Sequence, residues 1–430
     1  MDSITLFEES KWTAGVIGLG YVGLPLLITA SRAGMDAVGF DVSPKRVDAL
    51  AEGRSPVDDV SDEDLAKAIA DGVRFTTDPG QLSDADAVFI CVPSPLGRNR
   101  QPDLSFIEAA SATIAETARP GQLIVLESTT YPGTTEDYLL PAIEEAGLTL
   151  DEDVYVAFSP ERVSPGDDLK TAEIPKVVGG VTERSGEVAA AAYRRLVPSV
   201  HMVTSARAAE MTKLVENTYR AVNIGLVNEM AQLAHELGID IWEVIEAAST
   251  KPFGFQAFYP GPGVGGHCIP LDPQYLAWRA REANFATTFI DTAEKVNSKM
   301  PLYNVARIAD ILNQRGLPLF GTEILGVGIA YKPGVADDRE SASLEVLREL
   351  ERRGAKISVL DPVVGEVRVE EHGFGSVREA DDLERFQLAA VLTDHPSIDY
   401  AALAQGIPVV YDTRGVYRRL GLQYDNVVAL

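Results

Sequence analysis

The run Gly263-Val-Gly-Gly-His-Cys268-Ile-Pro-Leu-Asp272 puts a thiol at the end of a glycine-rich turn and a carboxylate four residues beyond it. Glycines let backbone approach a ligand closely and adopt positive φ. Such a turn can bring a substrate carbonyl, backbone N–H groups and a sulfur together, which is what covalent catalysis by a thiol requires. The plainer alternative is that Cys268 is a small buried hydrophobe, as most free cysteines are. His267 reads as a shaper of substrate or of the turn, because adjacent side chains rarely present the geometry of a Cys/His pair. Lys213 and Asn217 stand four apart and share a helix face. Met211, Leu214 and Val215 surround the lysine in sequence, so a buried amine that stabilises developing negative charge is weighed against an ordinary solvated one. Asp272 could orient a water, move a proton, or cap the helix that Pro273 opens.

A second constellation lies near the N-terminus. The apolar stretch Thr13–Ile17 runs into Gly18-Leu-Gly20-Tyr21-Val22-Gly23, a helical stretch over 24–33 follows, and a second strand over 37–40 ends at Asp41, 18 residues after Gly23. Strand, glycine turn, helix, strand and acid at this spacing predict a dinucleotide-binding unit. Gly18 would make the tight turn, Gly20 admit the pyrophosphate and Gly23 allow close helix packing. The phosphates would meet the helix N-terminus. Asp41 favours NAD over NADP, because a carboxylate bonds a ribose hydroxyl and repels a 2′-phosphate; Arg46 nearby works against that preference.

The elements needed to position these residues follow in order. Further strands are expected at 87–92, Leu123–Leu126, 154–158 and 177–179, with helices at 103–117 and Glu183–Leu196. This alternation predicts a doubly wound parallel sheet. Ser94, Ser128 and Thr129 leave predicted strand ends, where ligands of such sheets bind. From 206 to 237 apolar residues recur at three- and four-residue steps, predicting one long helix. Helices over 241–248, 273–282 and 289–314 complete a helical middle section. Strands at 319–328, Lys356–Leu360, 388–392 and 408–411, with a helix over 343–353, restart the layered plan. The expected fold is therefore α/β: two Rossmann-like domains with parallel sheets, 1–204 and 315–430, joined by a helical central domain, 205–314.

Composition narrows the class. The 430 residues carry 64 acidic and 38 basic side chains, a net charge of -26, which disfavours nonspecific attraction to nucleic acid or an anionic membrane. No apolar run reaches the ~20 residues of a membrane span, and residues 1–11 lack the apolar core of a signal peptide, so a cytoplasmic protein is expected. Two cysteines, Cys91 and Cys268, make a disulfide framework improbable. Five scattered histidines show no metal-ligand spacing, and no metal is expected.

Six motifs in order, Gly18 to Gly23, Glu127-Ser-Thr129, Ser159-Pro-Glu161, Lys213 with Asn217, Gly263 to Asp272, and Lys332 to Ser341, together resemble the UDP-glucose/GDP-mannose dehydrogenase family of nucleotide-sugar 6-dehydrogenases. The stretch Lys251-Pro-Phe-Gly-Phe-Gln-Ala-Phe-Tyr259-Pro-Gly-Pro-Gly263, with His267 before the cysteine, resembles members acting on UDP-N-acetylglucosamine or its manno epimer. Members acting on UDP-glucose usually carry Ser before Cys and Phe-Pro-Lys-Asp after it. The resemblance implies two successive oxidations at sugar carbon 6, using NAD twice, through a thiohemiacetal and a thioester on Cys268. It implies that Lys213 and Asn217 stabilise negative oxygen, that Asp272 orients water or works with Lys213, and that Glu161 is the base for thioester hydrolysis with Thr129 holding a water. Cofactor contacts are expected from Gly18, Gly20, Tyr21, Val22, Gly23, Asp41, Arg46, Ser94, Thr129 and Arg339. Substrate contacts are expected from Glu161, Arg162, Lys213, Asn217, Tyr259, Gly265, His267 and Lys332. Pro333 stands where a second basic residue is common and Ala342 where Ser or Pro often sits, which leaves fine substrate contacts open. The implied partners are a UDP-sugar and a second copy of the chain through the long helix. The alternatives are UDP-N-acetylmannosamine or UDP-glucose as substrate, then a two-electron hydroxyacid dehydrogenase, then a non-catalytic nucleotide-sugar-binding protein.

Overall fold

A computed structural model describes residues 2–57, 59–97, 101–162, 173–266, 269–378 and 383–430. The chain divides into two compact units, one of residues 1–216 with 274–285 and one of 217–273 with 286–430.

The first unit holds an eight-stranded sheet made of β1 (Thr13–Ile17), β2 (Asp36–Phe40), β3 (Arg74–Thr76), β4 (Ala87–Ile90), β5 (Leu123–Leu126), β6 (Tyr155–Phe158), β7 (Lys176–Gly180) and β8 (Val200–Val203). Their order is β3-β2-β1-β4-β5-β6-β7-β8, so the winding reverses between β1 and β4. The central strands β4, β5 and β6 carry no charged residue and are buried throughout, because both faces are covered. Successive side chains point to opposite faces: Ala87, Phe89, Leu123 and Val125 enter one core and Val88, Ile90, Ile124 and Leu126 the other. The helix Glu183–Leu196 covers the first face with Val188, Ala189, Ala192 and Tyr193, its start capped by Thr182, which accepts from the Ser185 amide at 3.0 Å.

Register aligns the strand ends. Ile17 pairs with Phe40 and Ile90, Ile90 with Leu126, and Leu126 with Phe158. Gly18, Asp41, Cys91, Glu127 and Ser159 therefore leave the sheet along one edge. The expectation of parallel strands fails at one neighbour pair: β7 runs antiparallel to β6, Phe158 facing Gly179. Its first residue, Lys176, thereby comes to the edge from which the parallel strands exit.

The second unit holds β9 (Glu323–Val327), β10 (Lys356–Leu360), β11 (Gly375–Ser376), β12 (Leu388–Val391), β13 (Val410–Asp412) and β14 (Val427–Ala429), ordered β11-β10-β9-β12-β13-β14 and paired in parallel throughout. Its winding reverses between β9 and β12.

The long helix is Ala206–Glu236. The single helix expected over 289–314 is two, Thr288–Asn297 and Met300–Asn313. Pro301 falls in the first turn of the second, where its missing N–H costs nothing, whereas mid-helix it would remove a hydrogen bond. The Asn297 side chain at the break is buried, donating to the Ala221 carbonyl at 3.0 Å and accepting from Asn228 at 3.0 Å.

Candidate active site

The glycine turn after β1 has the geometry of a phosphate cradle. Gly18 lies at φ 91°, and a Cβ there would stand 2.7 Å from the Cys91 carbonyl oxygen. A Cβ on Gly23 would strike the Gly18 carbonyl, while Gly20 faces open space. The helix Gly23–Arg32 starts immediately, with Val22 before it, and Tyr21 is 46% exposed beside it. Asp41, at the end of β2, is buried; its carboxylate accepts from the Leu19 amide at 3.0 Å, the Ser43 amide at 2.9 Å and the Arg46 guanidinium at 3.0 Å. Arg46 thus neutralises the acid instead of standing apart for a 2′-phosphate. These residues fit NAD: a glycine turn open at Gly20, a helix N-terminus and an acid at the second strand.

The neighbouring loops close the same edge. The Ser94 carbonyl accepts from the Tyr275 hydroxyl at 2.8 Å. Ser128 is buried, its hydroxyl donating to the Val92 carbonyl at 2.8 Å, so it stitches two loops together. Thr129 is half-buried next to it. Glu161, past the end of β6, is buried, accepting from the Arg162 amide at 2.7 Å and from Lys176 at 3.1 Å. Lys213 is buried and donates to the Glu161 main-chain carbonyl. The Arg162 guanidinium is drawn to Glu216 at 2.6 Å and to the Pro175 carbonyl at 3.0 Å, ties that engage it within the first unit. Cys91 is buried, and desolvation followed by the charge of Glu127 pushes its thiol well up, which makes it inert.

In the second unit, Asp272 is buried as the first residue of the helix Asp272–Glu282, not as the residue preceding it, and accepts from the Asn217 side-chain amide. His267 and Cys268 lie outside the described residues. The turn before them is held closely: a Cβ on Gly265 would be 3.0 Å from the Glu340 carbonyl, and one on Gly266, at φ 87°, 3.0 Å from the Tyr331 ring. The turn therefore rests on the segment carrying half-buried Lys332. Tyr259 is 58% exposed and stacked on Trp242 at 6.1 Å. Arg339 forks onto Asp337 at 2.9 and 2.7 Å. Asp338 is separate from that pair and binds Arg368 and His372.

Sequence reasoning gave no site role to four residues at these edges. Lys176 and Glu127 pair at 2.7 Å. Asp361, at the end of β10, accepts from Ile329 and Ala330 amides at 2.7 and 3.1 Å, the same device as Asp41, and it also bonds fully buried His395 at 3.1 Å. The acid ending a strand was the available signal for Asp361 and the Glu127-Ser-Thr129 motif for Glu127; nothing local marked Lys176 or His395. Among the described residues no group of His, Cys, Asp or Glu could hold a metal ion, and no helix is long and apolar enough to cross a membrane.

Two doubly wound sheets, each with its loops gathered at a reversal of winding, define a protein with two nucleotide-binding units. Residues 13–197 match the NAD binding domain of the UDP-glucose/GDP-mannose dehydrogenase family, 207–299 its central domain and 325–419 its UDP binding domain. The chain belongs to that family and is an NAD-dependent UDP-sugar 6-dehydrogenase. It is 34% identical over 366 residues to the UDP-N-acetyl-D-glucosamine 6-dehydrogenase of Pseudomonas aeruginosa, covering 84% of this chain and 86% of that protein. It is 34% identical over 421 residues to the NDP-N-acetyl-D-galactosaminuronic acid dehydrogenase of Ralstonia nicotianae, covering 94% and 96%. Among solved structures, the UDP-D-ManNAc dehydrogenase of Pyrococcus horikoshii superposes with a TM-score of 0.86 at 31% identity, covering 97% of this chain and 98% of that one.

Proposed function

We propose that the chain oxidises UDP-N-acetylglucosamine at carbon 6 to the uronic acid, as a cytoplasmic homodimer supplying precursors of surface polysaccharide. The stretch from Lys251 to Cys268 carries this choice of sugar, together with the similarity to the Pseudomonas 6-dehydrogenase. Residues 1–204, 205–314 and 315–430 serve as NAD-binding, central and UDP-sugar-binding parts. The exposed apolar residues Leu226 and Leu233 of the long helix, with Leu237 just past its end, support pairing with a second copy.

Gly18, Gly20, Tyr21, Val22, Gly23 and Asp41 hold NAD, with Ser94, Thr129 and Arg339 as further contacts and Arg46 acting through Asp41. NAD, when bound, accepts the hydride in each oxidation. Lys213 and Asn217 stabilise the negative oxygen at carbon 6, while Asp272, bonded to Asn217, takes part in proton transfer. The Cys268 sulfur adds to the aldehyde carbon, which retains the intermediate between oxidations and leaves a thioester after the second. Glu161 then takes a proton from the hydrolytic water, with Thr129 holding that water. Lys332, Gly265, His267, Tyr259 and Arg162 line the substrate.

The test is NADH released per sugar with UDP-N-acetylglucosamine, UDP-N-acetylmannosamine, UDP-glucose and GDP-mannose. Two NADH per UDP-N-acetylglucosamine are expected, with Cys268→Ala halting at the aldehyde. A yield of one, indifferent to that substitution, would instead mean a two-electron dehydrogenase.

A further inference from the structure

In the first unit Glu161 belongs to a buried charged cluster whose other members, Lys176 and Glu127, have no role in the reaction above. Lys176, 3% exposed, opens β7 at the edge where β5 and β6 end. Its ammonium donates to Glu127 at 2.7 Å and to Glu161 at 3.1 Å, and it lies 5.5 Å from the Tyr193 ring centre. Glu127, 1% exposed, also accepts from the Tyr193 hydroxyl. Among the described residues, the other groups facing Glu161 include the Lys213 ammonium on its main-chain carbonyl, Arg162 with its guanidinium held by Glu216, and the buried Cys91 thiol. Two carboxylates therefore share one ammonium.

We propose that Lys176 is a positioning residue for thioester hydrolysis, holding Glu161 ionised and aimed, and that Glu127 is the second carboxylate that lets Glu161 accept a proton. The inference rests on Glu161 being the hydrolytic base. In that step the water oxygen bonds to the thioester carbon and one water proton passes to the Glu161 carboxylate. The C–S electron pair leaves with the Cys268 sulfur as thiolate, and the uronic acid is released.

Charge explains why both partners are present. Before the step the cluster carries one excess negative charge. After it, Lys176 and Glu127 remain as a neutral buried pair, so no ion is stranded. Without Glu127, proton uptake would leave the buried ammonium uncompensated. Without Lys176, two buried carboxylates would repel, and one would protonate before the water reacted. The shorter bond to Glu127 anchors the ammonium on that side. Burial alone would push Lys176 down, but Glu127 and then Glu161 outweigh it and raise it, so it stays charged.

The experiment follows decay of the acyl-enzyme against pH, by acid quench and intact mass, in wild type, Lys176→Met, Lys176→Arg and Glu127→Gln, with NADH counted by stopped flow. Lys176→Met should slow decay roughly 100-fold after a normal burst of NADH, and move the acidic limb of the decay rate up by about one pH unit or more. Lys176→Arg should bring the limb back toward wild type. Glu127→Gln should move it down, because Glu161 then holds the ammonium alone. Limbs that do not move, or that move in the same direction in Lys176→Met and Glu127→Gln, overturn the proposal. If Lys176→Met does not fold, Glu127→Gln decides alone, an unmoved limb being the overturning result. A wild-type yield of one NADH per sugar would instead defeat the reading of function, and this inference with it.

Discussion

Asp361 shows how much one buried carboxylate can be asked to hold. Oδ2 accepts from Ile329, Ala330 and His395, and Oδ1 from the Val363 and Val364 amides at 2.9 and 2.8 Å. Burial acts to raise its carboxyl, but His395 and these amides win and hold it at about 2. A depressed value means the stabilisation is present above the ordinary 3.8 and is lost as pH falls through about 2; it amounts to about 2 kcal/mol. Asp361→Asn should cost about 2 to 5 kcal/mol at neutral pH, since the amide turns donors toward donors; urea unfolding would check it. The candidate site was partly legible at this scale. Lys213, Asn217 and Asp272 advertise themselves because chemistry dictates their types and helical spacing brings two of them onto one face. Glu127 and Lys176, 49 residues apart, meet only because one strand is reversed, and no local pattern encodes that.

Strands and helices obey rules that a sequence displays unevenly. β1 and β5 were legible to the residue, because a strand covered on both faces is a nearly continuous apolar run between turn signals; β10, with exposed Lys356 and half-buried Ser358, was legible from the Gly354 and Asp361-Pro362 signals that bound it. β3, β8 and β11 were not, being short, and β8 is exposed along its middle, so no burial pattern marks it. The direction of β7 was hidden too: the 17 residues between Phe158 and Lys176 suffice for a crossover to a parallel strand, and side-chain alternation is the same for either direction. The long helix makes its own demand. Its buried Glu210 accepts from the Gly133 amide at 2.5 Å and from the Thr135 amide and hydroxyl at 2.8 and 2.7 Å, tying down the start of the helical turn Thr135–Leu139. Burial outweighs these bonds and pushes its carboxyl to about 7. A raised value means stability is complete below the ordinary 4.5 and declines as pH rises through about 7, by about 3 kcal/mol. Urea unfolding at pH 5 and pH 8 should show this fall in wild type, and Glu210→Gln should flatten it.

Across the whole chain, the two sheets repeat one plan with different loops. In each, an acid at the end of the second strand reaches back to the loop after the first: Asp41 to Leu19 and Asp361 to Ile329 and Ala330. Each loop opens with a glycine whose amide bonds the neighbouring strand, Gly18 to Phe40 at 2.8 Å and Gly328 to Leu360 at 2.9 Å. The loops then diverge, glycines continuing at 20 and 23 in the first, whereas Ile329, Ala330 and Tyr331 follow in the second. One plan can therefore serve a dinucleotide on one sheet and a UDP-sugar on the other. These tethers should also be visible in the rate at which deuterium enters the ligand-free protein. The Leu19, Ile329 and Ala330 amides sit in loops, yet each is held by a buried carboxylate, so they should exchange as slowly as the sheet amides beside them. Exchange of Ile329 and Ala330 at the rate of exposed turns would mean that the second loop takes shape only when its ligand arrives.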